Sequence, residues 1–201
     1  KMNWSKVSPT TQILIVINVV LMFFMYYTSS SMVLTREVLI FFGAVGVNTD
    51  FYSTFVYMFL HASLLHMVVN MYLLMNYGTE VEKAFGNFFL PIYLGSGILA
   101  GLAIHFFQNP NSVTVGASGA ICGLVGAKLT HYFMNKNRTE EDRKMLKWVG
   151  VDALVLLSLG LLPQVSGISH FFGFSSGIAI TLAYYLIYLK YAKKQSEPII
   201  E

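Results

Sequence analysis

The sequence predicts an all-α integral membrane protein, a bundle of six transmembrane helices with both termini on the cytoplasmic side (N-in/C-in). Three observations predict this class: 55% of the 201 residues are hydrophobic, the mean hydropathy is +0.60, and 11% of the residues are charged. Soluble domains carry about 25% charged residues. The composition therefore excludes an ordinary soluble enzyme, a disordered chain and a nucleic-acid-binding protein, since each of these needs more charge.

Six stretches approach the roughly 20 apolar residues that a helix needs to cross a bilayer. The first follows Ser8-Pro9-Thr10, a typical helix start, and it is longer than the apolar core of a signal peptide. We expect a single membrane domain over residues 1–201, and, because residue 1 is lysine, a chain that lacks its natural start. The predicted spans are residues 11–28, 56–77, 87–107, 116–134, 147–162 and 168–189.

Basic residues orient these spans, because the cytoplasmic loops of membrane proteins are enriched in Lys and Arg. With the N terminus inside, Arg36 is the one basic residue of thirteen on the outer side. The segment 135–147 is then the main cytoplasmic loop, expected to be solvated. The basic residues on the predicted inner side are Lys1, Lys6, Lys83, Lys128, Lys136, Arg138, Arg143, Lys144, Lys147, Lys190, Lys193 and Lys194.

The outer stretch between the first two spans, residues 29–55, contains an apolar run at residues 37–47. This run is too short to cross the bilayer and too apolar to remain in water. We therefore expect it to lie in the membrane interface, where it would brace the bundle as an interfacial helix, or to dip part-way into the bilayer.

Polar side chains inside spans are costly and usually mark function. Spans 2, 4 and 6 all run from outside to inside in this topology, so their first turns lie at one depth. His66 and Asn70 fall in the first half of span 2, Ser118 in the first turn of span 4 and His170 in the first turn of span 6. The sequence thus predicts four polar groups, from three helices, just below the outer surface.

Small residues around Ser118 and His170 predict that their two helices pack closely. If the two glycine stripes meet, the His170 imidazole comes within hydrogen-bond distance of the Ser118 hydroxyl. An imidazole in that position takes the hydroxyl proton and makes the serine nucleophilic. The stripes consist of Gly119 and Gly123 in span 4 and of Gly173 and Gly177 in span 6.

His66 and Asn70 are four residues apart and so share one face of span 2. An imidazole and an amide are suitable donors for the oxyanion of an acyl-transfer intermediate. No carboxylate is expected at the depth of His170, because Glu37 and Asp50 lie in the outer loop and Asp152 lies near the inner start of span 5. The expected chemistry is therefore that of a Ser–His dyad.

The remaining polar residues are interpreted as structural. His61 is expected to brace a loop through a hydrogen bond, and its five-residue spacing from His66 turns the two rings about 140° apart on a helix, which disfavours a metal pair. Glu82 is expected to cap or tie the turn between spans 2 and 3. Interfacial positions are expected for His105 and His131, and a packing role for Cys122, the one cysteine, which also excludes an internal disulfide.

Taken in order, these motifs resemble the rhomboid family of intramembrane serine proteases, over most of residues 10–190. The resemblance rests on H-x4-H-x3-N from His61 to Asn70, on Gly78…Glu82…Gly86, on Gly116-Ala-Ser-Gly119, on His170-x2-Gly173-x3-Gly177 and on the Gly43-Ala44 turn. It implies that Ser118 is the nucleophile, that His170 is the general base, and that His66, Asn70 and the Ser118 backbone N–H form the oxyanion site.

The resemblance also implies a class of substrate and a membrane location. Family members cleave single-span transmembrane proteins within or beside the lipid bilayer, often at helices weakened by Gly or Pro, and favour a small residue before the cut. They need no metal or cofactor and bind no nucleic acid. Relatives admit substrate sideways near spans 2 and 5, under an outer cap that residues 162–167 would form here. The plain six-span form implies a bacterial plasma membrane.

Two departures from the family pattern are present. Many members have Trp-Arg where this chain has Tyr52-Ser53, and many have an aromatic ring where it has Cys122. Two alternatives to a protease stay open at this point. One is a catalytically inactive relative that binds transmembrane clients, and the other is a transporter or proton channel with His66 and His170 as a relay.

Overall fold

The computed structural model describes residues 4–135 and 137–196, with the side chains of the last helix described as far as Tyr188. Several residues of the predicted inner surface lie outside this part: Lys1 and Lys136, and the side chains of Lys190, Lys193 and Lys194.

The described part of the chain is helical, as the composition predicts. Its α-helices are α1 Pro9–Ser29, α2 Arg36–Phe42, α3 Ser53–Val56, α4 Leu64–Phe85, α5 Phe89–Phe107, α6 Ser118–Met134, α7 Glu140–Leu159 and α8 Gly167–Ser196. Short 3-10 turns lie at Trp4–Lys6, Tyr57–Phe59 and Gly86–Phe88. Within this part, three helical stretches are long and apolar enough to cross a membrane: Pro9–Ser29, Leu64–Phe107 and Gly167–Tyr188.

Two of the predicted spans begin elsewhere in the structure. α4 starts at Leu64 and not at residue 56, because the Ser63 hydroxyl accepts a hydrogen bond from the His66 N–H and caps the helix there. α7 starts at Glu140 within the segment expected to be a loop, because Thr139 and Asp142 form a reciprocal capping box. The hydrogen bonds from Thr139 lower the pKa of the Asp142 carboxyl.

α6 lies at the centre of the bundle. Every residue from Gly119 to Lys128 is buried, since glycine and alanine let the neighbouring helices α5 and α8 approach from both sides. α1, by contrast, exposes one long apolar face that includes Ile13, Val20 and Phe24, as expected of a helix against lipid.

The apolar run at residues 37–47 does not form one interfacial helix, so that expectation is corrected. α2 ends at Gly43, whose φ of 109° turns the chain. Ala44 and Val45 are then completely buried, and Val45 forms a backbone bridge with Thr114. The first half of the run forms a surface helix and the second half is part of the protein core.

Contrary to expectation, the Glu82 side chain does not tie the turn between α4 and α5. It holds the start of α1 instead. Its carboxylate accepts hydrogen bonds from the Thr10 N–H at 2.9 Å, the Thr11 N–H at 2.8 Å and the Thr11 hydroxyl at 2.8 Å. The first amides of a helix have no intrahelical acceptor and carry partial positive charge, so a carboxylate stabilises them. The N terminus of α1 and the C terminus of α4 therefore lie at the same end of the bundle.

Replacing Glu82 with glutamine should lower the free energy of unfolding by about 1–2 kcal/mol, because an amide loses the charge and turns a donor towards these amides. Unfolding by SDS in mixed micelles measures the change. Glu141→Gln is the control, because Glu141 is exposed in the first turn of α7. Equal losses in the two variants would contradict a specific role for Glu82.

Candidate functional site

α6 and α8 contact each other through their backbones at two levels. A Cβ atom placed on Gly173 would overlap the carbonyl oxygen of Gly119, and one on Gly177 would overlap the carbonyl oxygen of Gly123. Only glycine permits so close an approach. The structure thus brings together the two glycine stripes that the sequence predicts to meet.

This contact places the first turns of α6 and α8 side by side. Ser118 is the first residue of α6, directly before Gly119, and it is partly buried. His170 lies one turn before Gly173 in the first turn of α8 and is 4% exposed. The serine and the histidine accordingly flank the same close helix contact.

The His170 ring is held by a backbone group that sequence reasoning missed. Its Nδ1 lies 2.7 Å from the carbonyl oxygen of Leu156, in the last turn of α7. Because a carbonyl can only accept, Nδ1 carries the proton and donates it. In the neutral ring, Nε2 then keeps its lone pair and is available as a base.

The end of α7 leaves this carbonyl free. In a regular α-helix the Gly160 N–H would bond to Leu156, but here it bonds to Leu157 at 3.1 Å. The backbone at Gly160 also lies very close to the backbone at Gly167, since a Cβ on Gly160 would lie 2.8 Å from the Gly167 Cα. This close approach of two glycines sets the end of α7 against the start of α8.

His66 lies against the turn that leads into α6. Gly116 has a φ of +121°, and a Cβ there would lie 2.8 Å from the His66 Nε2. Gly116 belongs to the Gly116-Ala-Ser-Gly119 motif, but no sequence signal marks it as the surface on which His66 packs.

Asn70 follows His66 by one turn on α4 and is 3% exposed. Its amide nitrogen donates one hydrogen bond to the His66 carbonyl oxygen at 2.9 Å. The amide nitrogen has a second N–H. The structure therefore places His66 and Asn70 on one face of α4. One of the two N–H groups of the Asn70 side-chain amide is bonded to the helix backbone.

Tyr57 is a second group that sequence reasoning missed. It is fully buried, its carbonyl oxygen accepts from the Gly116 N–H at 3.0 Å, and its hydroxyl donates to the Gly97 carbonyl at 2.8 Å. Tyr57 thus links the turn before Ser118 to α5. A tyrosine in an apolar segment carries no sequence signal for this role.

His61 does not brace a loop by a hydrogen bond, contrary to expectation. It is completely buried, neither ring nitrogen has a hydrogen-bond partner, and its ring packs edge-on against His66 with centroids 5.1 Å apart. The helical angle used to separate the two rings does not apply, because His61 precedes α4. In residues 4–135 and 137–196, no three His, Cys, Asp or Glu side chains form a group that could hold a metal ion.

The other polar residues take structural positions. His105 Nδ1 lies 3.1 Å from the Gly46 carbonyl oxygen, and His131 Nδ1 lies 2.6 Å from the Tyr185 hydroxyl. Cys122 is buried, as the packing interpretation predicts.

A cavity of about 490 Å³ lies beside the start of α8. Residues 111–114 line one side, and residues 163–168, which include the expected cap, line the other. The Ser166 hydroxyl ties the two sides together by donating to the Gln108 Oε1 at 3.1 Å. The cavity therefore extends to within two residues of His170 along the chain.

Comparisons with known proteins identify the family of this chain. The sequence profile described as Rhomboid domain matches residues 48–187. The chain is 34% identical over 124 residues to RHOMBOID-like protein 4 of Arabidopsis thaliana, which covers 60% of this chain and 31% of that protein. It is 34% identical over 125 residues to RHOMBOID-like protein 6, mitochondrial, of Arabidopsis thaliana, covering 61% of this chain and 40% of that protein.

A third relative is Inactive rhomboid protein 2 of Homo sapiens, 31% identical over 139 residues, which covers 69% of this chain and 16% of that protein. The chain spans well under half the length of each of these relatives. All three are eukaryotic, so they do not support the expectation of a bacterial plasma membrane. Because the matched profile covers more than half of the sequence, the chain belongs to the rhomboid family.

Proposed function

We propose that this protein is an intramembrane serine endopeptidase in which Ser118 attacks the peptide bond and His170 is the base. One observation carries the proposal: the backbone contact of α6 with α8 sets Ser118 and His170 in adjacent first turns. The bond from His170 Nδ1 to Leu156 adds to it, because it leaves Nε2 free to accept the serine proton. Leu156 thus takes the orienting place that a carboxylate has in a Ser-His-Asp triad.

The first half of the reaction forms an acyl-enzyme. The Ser118 Oγ bonds to the scissile carbonyl carbon while its proton passes to the His170 Nε2. The tetrahedral intermediate then breaks its C–N bond, and the amine leaves with the proton from His170. In the second half, a water attacks the ester, His170 takes its proton, and Ser118 leaves with that proton restored.

The developing negative charge on the carbonyl oxygen needs donors. As the first residue of α6, Ser118 has a backbone N–H with no intrahelical acceptor. His66 and the second N–H of Asn70 are the further donors that we assign to this oxyanion.

We propose six transmembrane helices, α1 and α4 to α8, with both termini in the cytoplasm. The contact of Glu82 with the start of α1 supports the alternation, because it places the N terminus of α1 and the C terminus of α4 at one end. Lys6 and Lys83 lie close to this contact along the chain, and the positive-inside rule assigns an end that carries basic residues to the cytoplasm. Substrates would be single-span membrane proteins whose helix is weakened by Gly or Pro.

Cleavage in nanodiscs tests this function. Single-span reporters with and without a Gly-Pro pair in the helix should be cut by the purified protein, the weakened helix faster. A fluorophosphonate should block the reaction and a metal chelator should not. Cleavage that resists the fluorophosphonate, or ion flux through liposomes without any cleavage, would contradict the proposal.

The second candidate is a client-binding protein without activity. Its support is the 31% identity to a human protein named as an inactive rhomboid. It predicts that the reporter copurifies uncut with the protein. The presence of both Ser118 and His170 favours the enzyme.

Gly116→Ala should lower cleavage about a hundredfold, because the added Cβ displaces the His66 ring from the oxyanion site. Reporter cleavage and thermal unfolding measure the effect. Gly86→Ala is the matched control, since Gly86 also has a positive φ, 55°, but open space around its Cβ position. If Gly86→Ala lost as much activity, backbone strain and not His66 would explain the effect.

A further inference from the structure

α7 is held to the rest of the bundle by little apolar packing. Of its 20 residues, Val149 and Ala153 are buried, while large side chains such as Trp148 and Leu154 are exposed. Dispersion and burial therefore contribute little to fixing its position. Polar contacts from α7 to other helices therefore contribute more to fixing its position.

Two such contacts connect one face of α7 to other helices. The Tyr77 hydroxyl on α4 donates to the Asp152 Oδ2 at 2.6 Å, and the Leu156 carbonyl accepts from His170 on α8 at 2.7 Å. Asp152 and Leu156 are four residues apart, so they lie on the same face one turn from each other. About 6 Å along the helix axis separates them.

Tyr77 is itself fixed by its neighbours. The Lys128 Nζ lies over the Tyr77 ring, 5.4 Å from its centroid, and Lys128 also forms an ion pair with Glu80 on α4. Lys128 belongs to the buried central helix α6, where it is 7% exposed. The Tyr77 hydroxyl is thus a rigid point against which α7 is held.

We propose that Tyr77 and Asp152 are positioning residues for the base His170. Their hydrogen bond fixes α7, and α7 in turn holds the Leu156 carbonyl under the His170 Nδ1. The catalytic consequence rests on the proposed function, whereas the effect on the His170 ring does not. Neither side chain touches the substrate or the reacting atoms.

Loss of the Tyr77–Asp152 bond frees one face of α7 to shift. The Leu156 carbonyl then no longer fixes which ring nitrogen carries the proton, and His170 populates both neutral forms. The form with its proton on Nε2 cannot accept the proton of Ser118. The expected result is a lower kcat with an unchanged KM for the reporter, since substrate contacts stay in place.

Tyr77→Phe and Asp152→Ala test the proposal because each removes one partner of the bond, and Tyr72→Phe is the matched control on the same helix, where Tyr72 is exposed. Each single variant should lower kcat about tenfold. The double variant should be no worse than either single one, because both remove the same bond. Tyr72→Phe should match the unaltered protein.

The direct readout is the protonation of the His170 ring nitrogens by ¹⁵N NMR at alkaline pH, assigned by its loss in His170→Asn. The unaltered protein should show a protonated Nδ1 and a bare Nε2, and Tyr77→Phe should show a mixture. An unchanged spectrum would overturn the proposal, even if kcat falls. A mixture of the two forms with an unchanged kcat would also overturn the proposal.

If the unaltered protein neither cleaves the reporter nor reacts with a fluorophosphonate, the proposed function fails, while the change in the spectrum still supports the positioning role.

Discussion

Replacing Ser118 with alanine should lower reporter cleavage by about a thousandfold or more and leave the fold unchanged. The hydroxyl is the group that forms the covalent bond, and the remaining site can only polarise the substrate. The side chain is partly buried at the start of α6, so its removal disturbs little packing. Cleavage in nanodiscs and thermal unfolding measure the two properties separately.

The control makes the same chemical change elsewhere. Ser158→Ala alters an exposed serine in the last turn of α7 and should retain full activity. His170→Ala should lose about as much activity as Ser118→Ala, and the double variant should lose no more, because the two residues act as one unit. Substantial cleavage by Ser118→Ala would assign the nucleophile to another group.

Gly177→Ala should lower the free energy of unfolding by about 3 kcal/mol or more and reduce activity with it. The added Cβ would overlap the Gly123 carbonyl, a backbone atom that cannot rotate away, so α6 and α8 must separate. Separation at this level also moves His170 away from Ser118. SDS unfolding and reporter cleavage should fall together.

Gly150→Ala is the matched control for this variant. A Cβ on Gly150, within α7, would meet nothing within 4 Å, so the change should be neutral or stabilise the protein by up to about 1 kcal/mol. If Gly177→Ala were as stable as Gly150→Ala, the close contact of α6 and α8 would not be the element that organises the site.

The helical class and the glycine contact could be predicted because each has a direct signal in side-chain type. A low charge content predicts membrane helices, and glycines four residues apart predict a smooth face. The start of α4 was misplaced because apolar residues before Ser63 continue the hydrophobic run. The cap at Ser63 is visible in the sequence and would have corrected the boundary.

The contacts that were missed depend on backbone groups and on distant parts of the chain. The Leu156 carbonyl holds His170 only because α7 tightens at its end, and no side-chain pattern reports this. The hydrogen-bond partners of Glu82 lie 71 and 72 residues away, at the start of α1. The nearby turn between α4 and α5 was therefore the wrong assignment. His61 was assigned a helical angle although it precedes the helix.

Fluorophosphonate labelling followed by peptide mass spectrometry tests most directly whether His170 activates Ser118. The purified protein should gain a single adduct, on the peptide that contains Ser118, and His170→Ala should gain none at the same probe concentration. An adduct on another residue, or equal labelling of Ser118 with and without the His170 imidazole, would contradict the assignment of this pair as nucleophile and base.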